Sequence, residues 1–257
     1  MPTSCSSFQE QLPGARCLPA AVVLADLRAV KDPSELESLA AAARTADAAV
    51  EAAFAACGPD ATELDVAEAA AAAFRRAGCE EVLFTSVACG PNGAFPHHHS
   101  SVRRLQQGDA VTIDVGGRLN GYASDLTRMA HVGEPDGRYA ELHDVVASAL
   151  GAGLATARPG ATCADGDRAA REVIEAAGLG EYFVHRTGHG LGLSVHEPPS
   201  IMAGEETELA PGMVFSVEPG VYLPGERGLR LEEIIWVTDT GCEVFSSLPR
   251  DVHVVPA

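Results

Sequence analysis

The sequence predicts an α+β domain made of two similar halves. Three observations carry this reading. The chain has 257 residues of which 46% are apolar, enough to bury a substantial core. Its hydrophobic patterning reads helix, helix, strand, strand, and then the same again. Residues 59–78 align with 159–178 at an offset of 100 with eight identities in twenty, including a helix cap (Thr62, Thr162) and a helix stop (Gly78, Gly178). An internal duplication whose halves share a sheet accounts for all three, and places a site between the halves.

The elements follow in order. Residues 1–27 start rich in Ser, Pro and Gly and are read as a tail or remnant linker, with the folded domain over 28–257. The first long helix starts after Asp32, which caps it. Pro33 suits the first helical position and Glu35 completes a capping box. Leu36, Leu39, Ala43, Val50 and Phe54 form its apolar stripe, and Gly58 is suited to end it in a left-handed conformation. A second helix runs from its Thr62 cap to Gly78. Strands follow at 81–88 and 110–117, separated by a His-rich loop. Leu119-Asn120-Gly121 is a hairpin signal, and 122–132 returns antiparallel. The second half repeats with helices at 138–157 and 162–178, then strands near 182–187, 213–218, 229–238 and 243–247.

Charge and composition exclude some functions. With 36 acidic against 18 basic residues the formal net charge is −18, which repels phosphate backbones and argues against nucleic-acid binding. The alanine runs are too short and too flanked by charge to span a membrane. Seven cysteines, an odd number with no CxxC pair, read as reduced thiols. The start of the chain lacks a signal-peptide pattern, so a cytoplasmic location is expected.

The acidic residues worth following are those embedded in strands. Asp114 and Asp125 flank the hairpin. A Leu119–Asn120 loop makes them directly opposite, and an Asn120–Gly121 loop makes them diagonal neighbours. Either register puts both on one face, where two like charges need something positive between them. Glu218 ends another apolar strand. Arg230 and Glu232, two apart, share a strand face, while Glu233 points the other way. The stretch "HRTGHGLGLSVHEPP" adds His185, His189 and His196. Carboxylates with an imidazole make a hard, oxygen-rich site suited to two divalent cations, Mn²⁺ first, with Co²⁺, Zn²⁺ or Fe²⁺ as alternatives. Such a pair can polarise a carbonyl and activate water.

Four blocks, "GPNGAFPHH", "TIDVGGRLNGYASDLTR", "HRTGHGLGLSVHEPP" and "FSVEPGVYLPGERGLRLEEIIWVT", together resemble the pita-bread metallopeptidases. That group contains methionine aminopeptidase, aminopeptidase P and Xaa-Pro dipeptidase. The resemblance spans about 28–254 and implies the pita-bread fold, two pseudo-symmetric halves sharing a curved antiparallel sheet. It implies five metal ligands, Asp114, Asp125, His189, Glu218 and Glu232, with Asp125 and Glu232 bridging. Glu218 would also exchange protons as general base, and His196 would stabilise the tetrahedral intermediate. His97 would contact the scissile bond or leaving group, and His185 would line the substrate pocket. Arg230, two before the last ligand, marks the Xaa-Pro dipeptidase and aminopeptidase P branch and joins the substrate-binding residues.

The implied activity is hydrolysis of the bond between an N-terminal residue and proline. A same-fold hydrolase of a small non-peptide C–N bond, like creatinase relatives, and an aminopeptidase without proline selectivity are the alternatives. The implied partners are a peptide or dipeptide substrate, no nucleic acid and no membrane, with a homodimer left open. Two departures stand out. Members of this branch usually carry a further N-terminal domain, expected here to be missing or truncated. Many also have a tyrosine where this chain has Leu83, which alters the support of a ligand. His98 and His99 are expected to face solvent or stabilise their loop, and His131, His143 and His253 to be structural or at the surface. Tyr222 and Trp236 are expected in the core or pocket wall.

Overall fold

The capping residues set the helices. In the computed structural model, which describes residues 11–15, 20–58 and 60–256, the helices are α1 (Ala21–Ala29), α2 (Pro33–Ala56), α3 (Glu63–Arg76), α4 (Gly137–Thr156) and α5 (Cys163–Ala176). The Asp32 carboxylate accepts from the Ser34 and Glu35 N–H groups while the Glu35 side chain accepts from the Asp32 N–H. Thr62 with Asp65, and Thr162 with Asp165, repeat this box at the starts of α3 and α5. Each such cap contributes about 1 kcal/mol.

The strands are β1 (Glu81–Cys89), β2 (Ala110–Leu119), β3 (Tyr122–Ala123), β4 (Leu126–Val132), β5 (Gly188–Gly190), β6 (Glu197–Ile201), β7 (Val214–Val217), β8 (Gly220–Leu223), β9 (Arg227–Arg230), β10 (Glu233–Val237), β11 (Cys242–Val244) and β12 (His253–Val255). They form two five-stranded sheets, ordered β1-β2-β4-β12 with β3 on β2, and β11-β10-β7-β5-β6, plus the hairpin β8-β9. The pairing is antiparallel apart from β12, which runs parallel to β4. The sheets meet where the Glu232 N–H donates to Thr127 O and the Ala123 N–H to Gly192 O.

The duplication extends to the backbone. Isolated bridges join Thr62 to Arg104 and Thr162 to Glu208. Leu105 donates to Ala61 O at 2.9 Å, and Leu209 donates to Ala161 O at 2.8 Å. Each half buries its own core: one under α2 and α3 includes Phe74, Val111 and Ile113, the other under α4 and α5 includes Leu150, Ile174 and Phe215. Burial pushes the Cys57, Cys89 and Cys163 thiols up to about 12, so these are packing residues. Cys5 and Cys17 lie outside the described residues.

Several expectations need correction. Of the span to residue 27 read as tail or linker, 1–10 and 16–19 lie outside the described residues, but 21–29 form α1, which packs on β6. Gly58 is not left-handed, and α2 ends instead at an extended Cys57. The strand expected at 182–187 is a 3-10 turn, Gly180–Tyr182, followed by irregular chain. Arg171 takes the Phe183 and His185 carbonyls, so a side chain satisfies backbone groups that a ladder would otherwise pair, and Thr187, whose N–H donates to Ile201 O at 2.9 Å as well as to Asp167, is where the chain rejoins backbone pairing. The single strand at 229–238 is two, β9 and β10, broken where Arg230 and Glu232 both turn to Thr127.

Candidate metal centre

The hairpin settles the register of the two aspartates. Asn120 and Gly121 have φ of 53° and 83°, so they form the two-residue turn, and Leu119 pairs with Tyr122. Asp114 then lies opposite Thr127. Asp125, two residues before Thr127, is its diagonal neighbour on the same face.

The second half supplies the rest. His189 is the centre of β5, whose neighbours press so closely that a Cβ on Gly188 would fall 1.8 Å from Ser216 O, and one on Gly190 2.4 Å from Pro198 O. These glycines permit close strand approach. The turn that unites His189 with His196 is a register shift between His189 and Gly190. Across it the two rings meet edge to face with centroids 4.3 Å apart. Ser216 Oγ accepts from the His189 N–H at 2.9 Å and donates to Glu218 Oε1 at 3.0 Å. The His189 Nδ1–H donates to Gly190 O, which turns Nε2 toward the carboxylates. That Nε2 lies 3.2 Å from Glu218 Oε1 and 3.6 Å from Asp125 Oδ2.

Donor atoms of Asp125, His189 and Glu232, all buried, lie within 4.8 Å of one another. Glu232 Oε1 is buried without a hydrogen-bond partner among the described residues. Burial, then Glu232, Asp114 and Glu218, push Asp125 well above the usual carboxylate range, and burial, Glu218 and Asp114 do the same to Glu232. Burial and Glu218 also raise Asp114, opposed by Arg230. Burial acts to raise Glu218 too, but hydrogen bonding and charge from His189, with Arg230 and His185, hold it down to about 2. Crowded carboxylates with an orphaned buried oxygen and an imidazole nitrogen turned toward them fit a divalent cation.

A cavity of about 500 Å³ opens over this cluster and is also lined by His97, His185, His196 and Arg230. Arg230 is buried and donates to Asp114 Oδ2 at 2.7 Å, to Thr127 Oγ1 at 3.1 Å and to Tyr222 Oη at 2.8 Å. Tyr222 in turn donates to His185 Nε2 at 2.8 Å, whose Nδ1–H binds Arg186 O. Burial pushes Tyr222 up to about 12, so it stays a neutral phenol. His97 is exposed on the loop after Pro96.

Sequence reasoning missed three supports. Thr127 joins Asp114, Glu232 and Arg230. Tyr222, expected as core or wall, links Arg230 to His185. Glu63, fully buried in the first turn of α3, accepts from Cys89 N, Asn92 Nδ2, Ser101 N and His98, and so anchors the loop that carries His97. A buried glutamate opposite a His-rich loop leaves no periodic mark in sequence. His98 is thus loop-stabilising. His131, His143 and His253 bind Gly133 O, bind Arg250 O and stack on Phe54. Leu83 sits in an apolar cluster with Leu39 and Leu191 beside a strand irregularity.

Residues 37–239 match the family described as metallopeptidase family M24. The chain is 46% identical over 239 residues to the probable dipeptidase PepE of Mycobacterium tuberculosis, covering 91% of this chain and 63% of that one. It is 37% identical over 231 residues to the Xaa-Pro dipeptidase of Pyrococcus furiosus, covering 90% and 66%. Among solved structures, dipeptidase PepE from Mycobacterium ulcerans superposes with a TM-score of 0.95 at 43% identity, over 100% of this chain and 70% of that one. The prolidase from Pyrococcus furiosus gives 0.92 at 35% identity, over 97% and 75%. The chain therefore spans about 63% of the length of its mycobacterial relative.

Proposed function

The chain belongs to metallopeptidase family M24, with the pita-bread fold of its prolidase neighbours, and from that premise we propose a dinuclear exopeptidase that cleaves the bond between an N-terminal residue and proline. The observation that carries this reading is the convergence of Asp114, Asp125, His189, Glu218 and Glu232 on one cavity. These five residues would hold two divalent cations. The oxygen-rich donor set favours Mn²⁺, with Co²⁺, Zn²⁺ or Fe²⁺ as substitutes. Bound there, the cations supply positive charge that polarises a peptide carbonyl and makes water a better nucleophile.

The protein's own groups do the rest. Glu218, held ionised, accepts a proton on its carboxylate. Burial, then the charges of His189 and Arg186, lower His196, so it is neutral near pH 7. A neutral imidazole at the cavity donates one hydrogen bond to an oxyanion forming beside His189. His97 contacts the leaving side of the substrate from its anchored loop. His185 has both ring nitrogens engaged, so it acts as pocket wall and as the stop that, through Tyr222, fixes Arg230. Arg230 orients Asp114 and faces the substrate.

Proline selectivity is supported by Arg230 and by the names Xaa-Pro dipeptidase and prolidase carried by relatives. Among the described residues no helix is long and apolar enough to cross a membrane. A cytoplasmic location completes the proposal, with the catalytic domain taking in α1 rather than starting at residue 28. The test is a panel of Xaa-Pro dipeptides, longer Xaa-Pro peptides and matched Xaa-Ala controls, each with added Mn²⁺, Co²⁺, Zn²⁺ or Fe²⁺. Preferential turnover of Xaa-Pro substrates is expected. Equal turnover of the controls removes the selectivity, and no turnover with any metal removes the peptidase.

A further inference from the structure

Glu197 follows His196 directly, and its side chain is only 3% exposed. Its Oε1 accepts from Lys31 Nζ at 2.9 Å, and its Oε2 accepts from Arg28. Arg28 also donates to Ser194 Oγ at 2.9 Å. Lys31 is fixed from its own side. Its side chain is 2% exposed, its backbone N–H donates to Gly212 O at 2.8 Å, and Val30 bridges to Met213. Residues 190–197 form a loop closed at its neck by the pairing of Gly190 with Glu197. A Cβ on Gly192 would fall 2.5 Å from Glu197 Oε1, so the loop is packed onto that carboxylate. Among the described residues, no side chain hydrogen-bonds the His196 ring. Apart from its edge-to-face contact with His189, the ring's position is set by the backbone on either side of it, and Glu197 is the buried, doubly paired residue next to it.

We propose that Lys31 and Arg28 are positioning residues for His196, acting through Glu197, so that the segment before α2 belongs to the catalytic apparatus. Removing the Lys31 charge leaves a buried carboxylate short of a partner, and such a group seeks water. Glu197 can reach water only by loosening the neck of the 190–197 loop, which moves the His196 ring off His189. Stabilisation of an oxyanion depends on donor placement to within a fraction of an ångström. The inference rests on the proposed role of His196 at the transition state.

The test uses Lys31→Met, Arg28→Ala and Glu197→Gln in the full chain, with Lys31→Arg as the conservative control. The first readout is hydrogen exchange across residues 190–198, which needs no activity. The second is kcat and KM on an Xaa-Pro dipeptide together with bound metal. Faster exchange in that segment is expected, with kcat lowered about 10- to 100-fold, the range of outer positioning partners, and KM and metal content held within about twofold. Lys31→Arg should restore both, and Lys31→Met should cost little more in a His196→Ala background. Unchanged exchange, or a full additional loss of kcat in that background, overturns the proposal. Arg28→Ala, at a side chain that is 35% exposed, keeps the test decisive if Lys31→Met does not fold. A wild-type chain that cleaves no peptide would remove the peptidase reading, while exchange alone would still decide whether the clamp holds the loop.

Discussion

Thr127 Oγ1 lies 2.8 Å from Glu232 Oε2, although 105 positions separate the two residues. The same hydroxyl is 3.2 Å from Asp114 Oδ1 and accepts from Arg230 Nε. One small side chain thus ties the hairpin of the first half to the segment of the second that carries Glu232. Its single proton serves one carboxylate at a time, and the shorter distance assigns it to Glu232.

Thr127→Val keeps the shape and removes the hydroxyl. Metal affinity should fall about 10- to 100-fold, as for partners that orient metal ligands. The fold should be retained, because Thr127 lies in β4 and valine favours strands. Calorimetric titration with Mn²⁺ beside a far-ultraviolet spectrum checks both statements. Unchanged affinity would show that Thr127 does not orient Glu232.

The raised carboxylates make metal binding proton-linked. Asp125 and Glu232 have folded pKa values well above the unfolded range near 4. Their stabilising contribution is therefore complete below about pH 4 and is lost as pH rises through the folded values. His185 and His196, lowered chiefly by burial, run in the opposite sense, contributing above about pH 6.5 and losing as pH falls. The clean readout is consequently the difference between metal-free and metal-loaded protein. Metal should stabilise more at pH 7 than at pH 5, and binding at pH 6 should release protons. Titrations in two buffers of different ionisation enthalpy measure that release, which should shrink in Glu232→Gln.

The duplicated caps should be energetically alike. Thr62→Ala and Thr162→Ala each remove an acceptor for the N–H three residues on, so each should cost about 1 kcal/mol. Urea unfolding measures this. A cost confined to one half would mean that the two helices are held differently.

Much of this arrangement is legible in sequence, and the reasons are local. Asn120-Gly121 specifies its turn, and period-two alternation then places Asp114 and Asp125 on one face. The repeated Thr caps betray the duplication. Glu218 and Glu232 stand out as acids at the ends of apolar strands. The parts that are not legible depend on contacts between distant segments. The stretch 182–187 has strand composition, but Arg171 takes the Phe183 and His185 carbonyls. Tyr222 looks like a core residue, and only the fold brings it between Arg230 and His185. Arg28 and Lys31 lie at the edge of a span that reads as a linker, yet Glu197, more than 160 positions away, is their partner.

The proposal that Asp114, Asp125, His189, Glu218 and Glu232 hold two catalytic cations stands or falls on metal content. Its most direct measurement is bound metal per chain, determined by elemental analysis beside Xaa-Pro dipeptide turnover, in the wild type and in Asp125→Asn. Two metals per chain with turnover in the wild type, and loss of at least one metal together with turnover in the variant, are predicted. A wild type that binds no metal under saturating Mn²⁺, or an Asp125→Asn chain that keeps both metals and full activity, would contradict it.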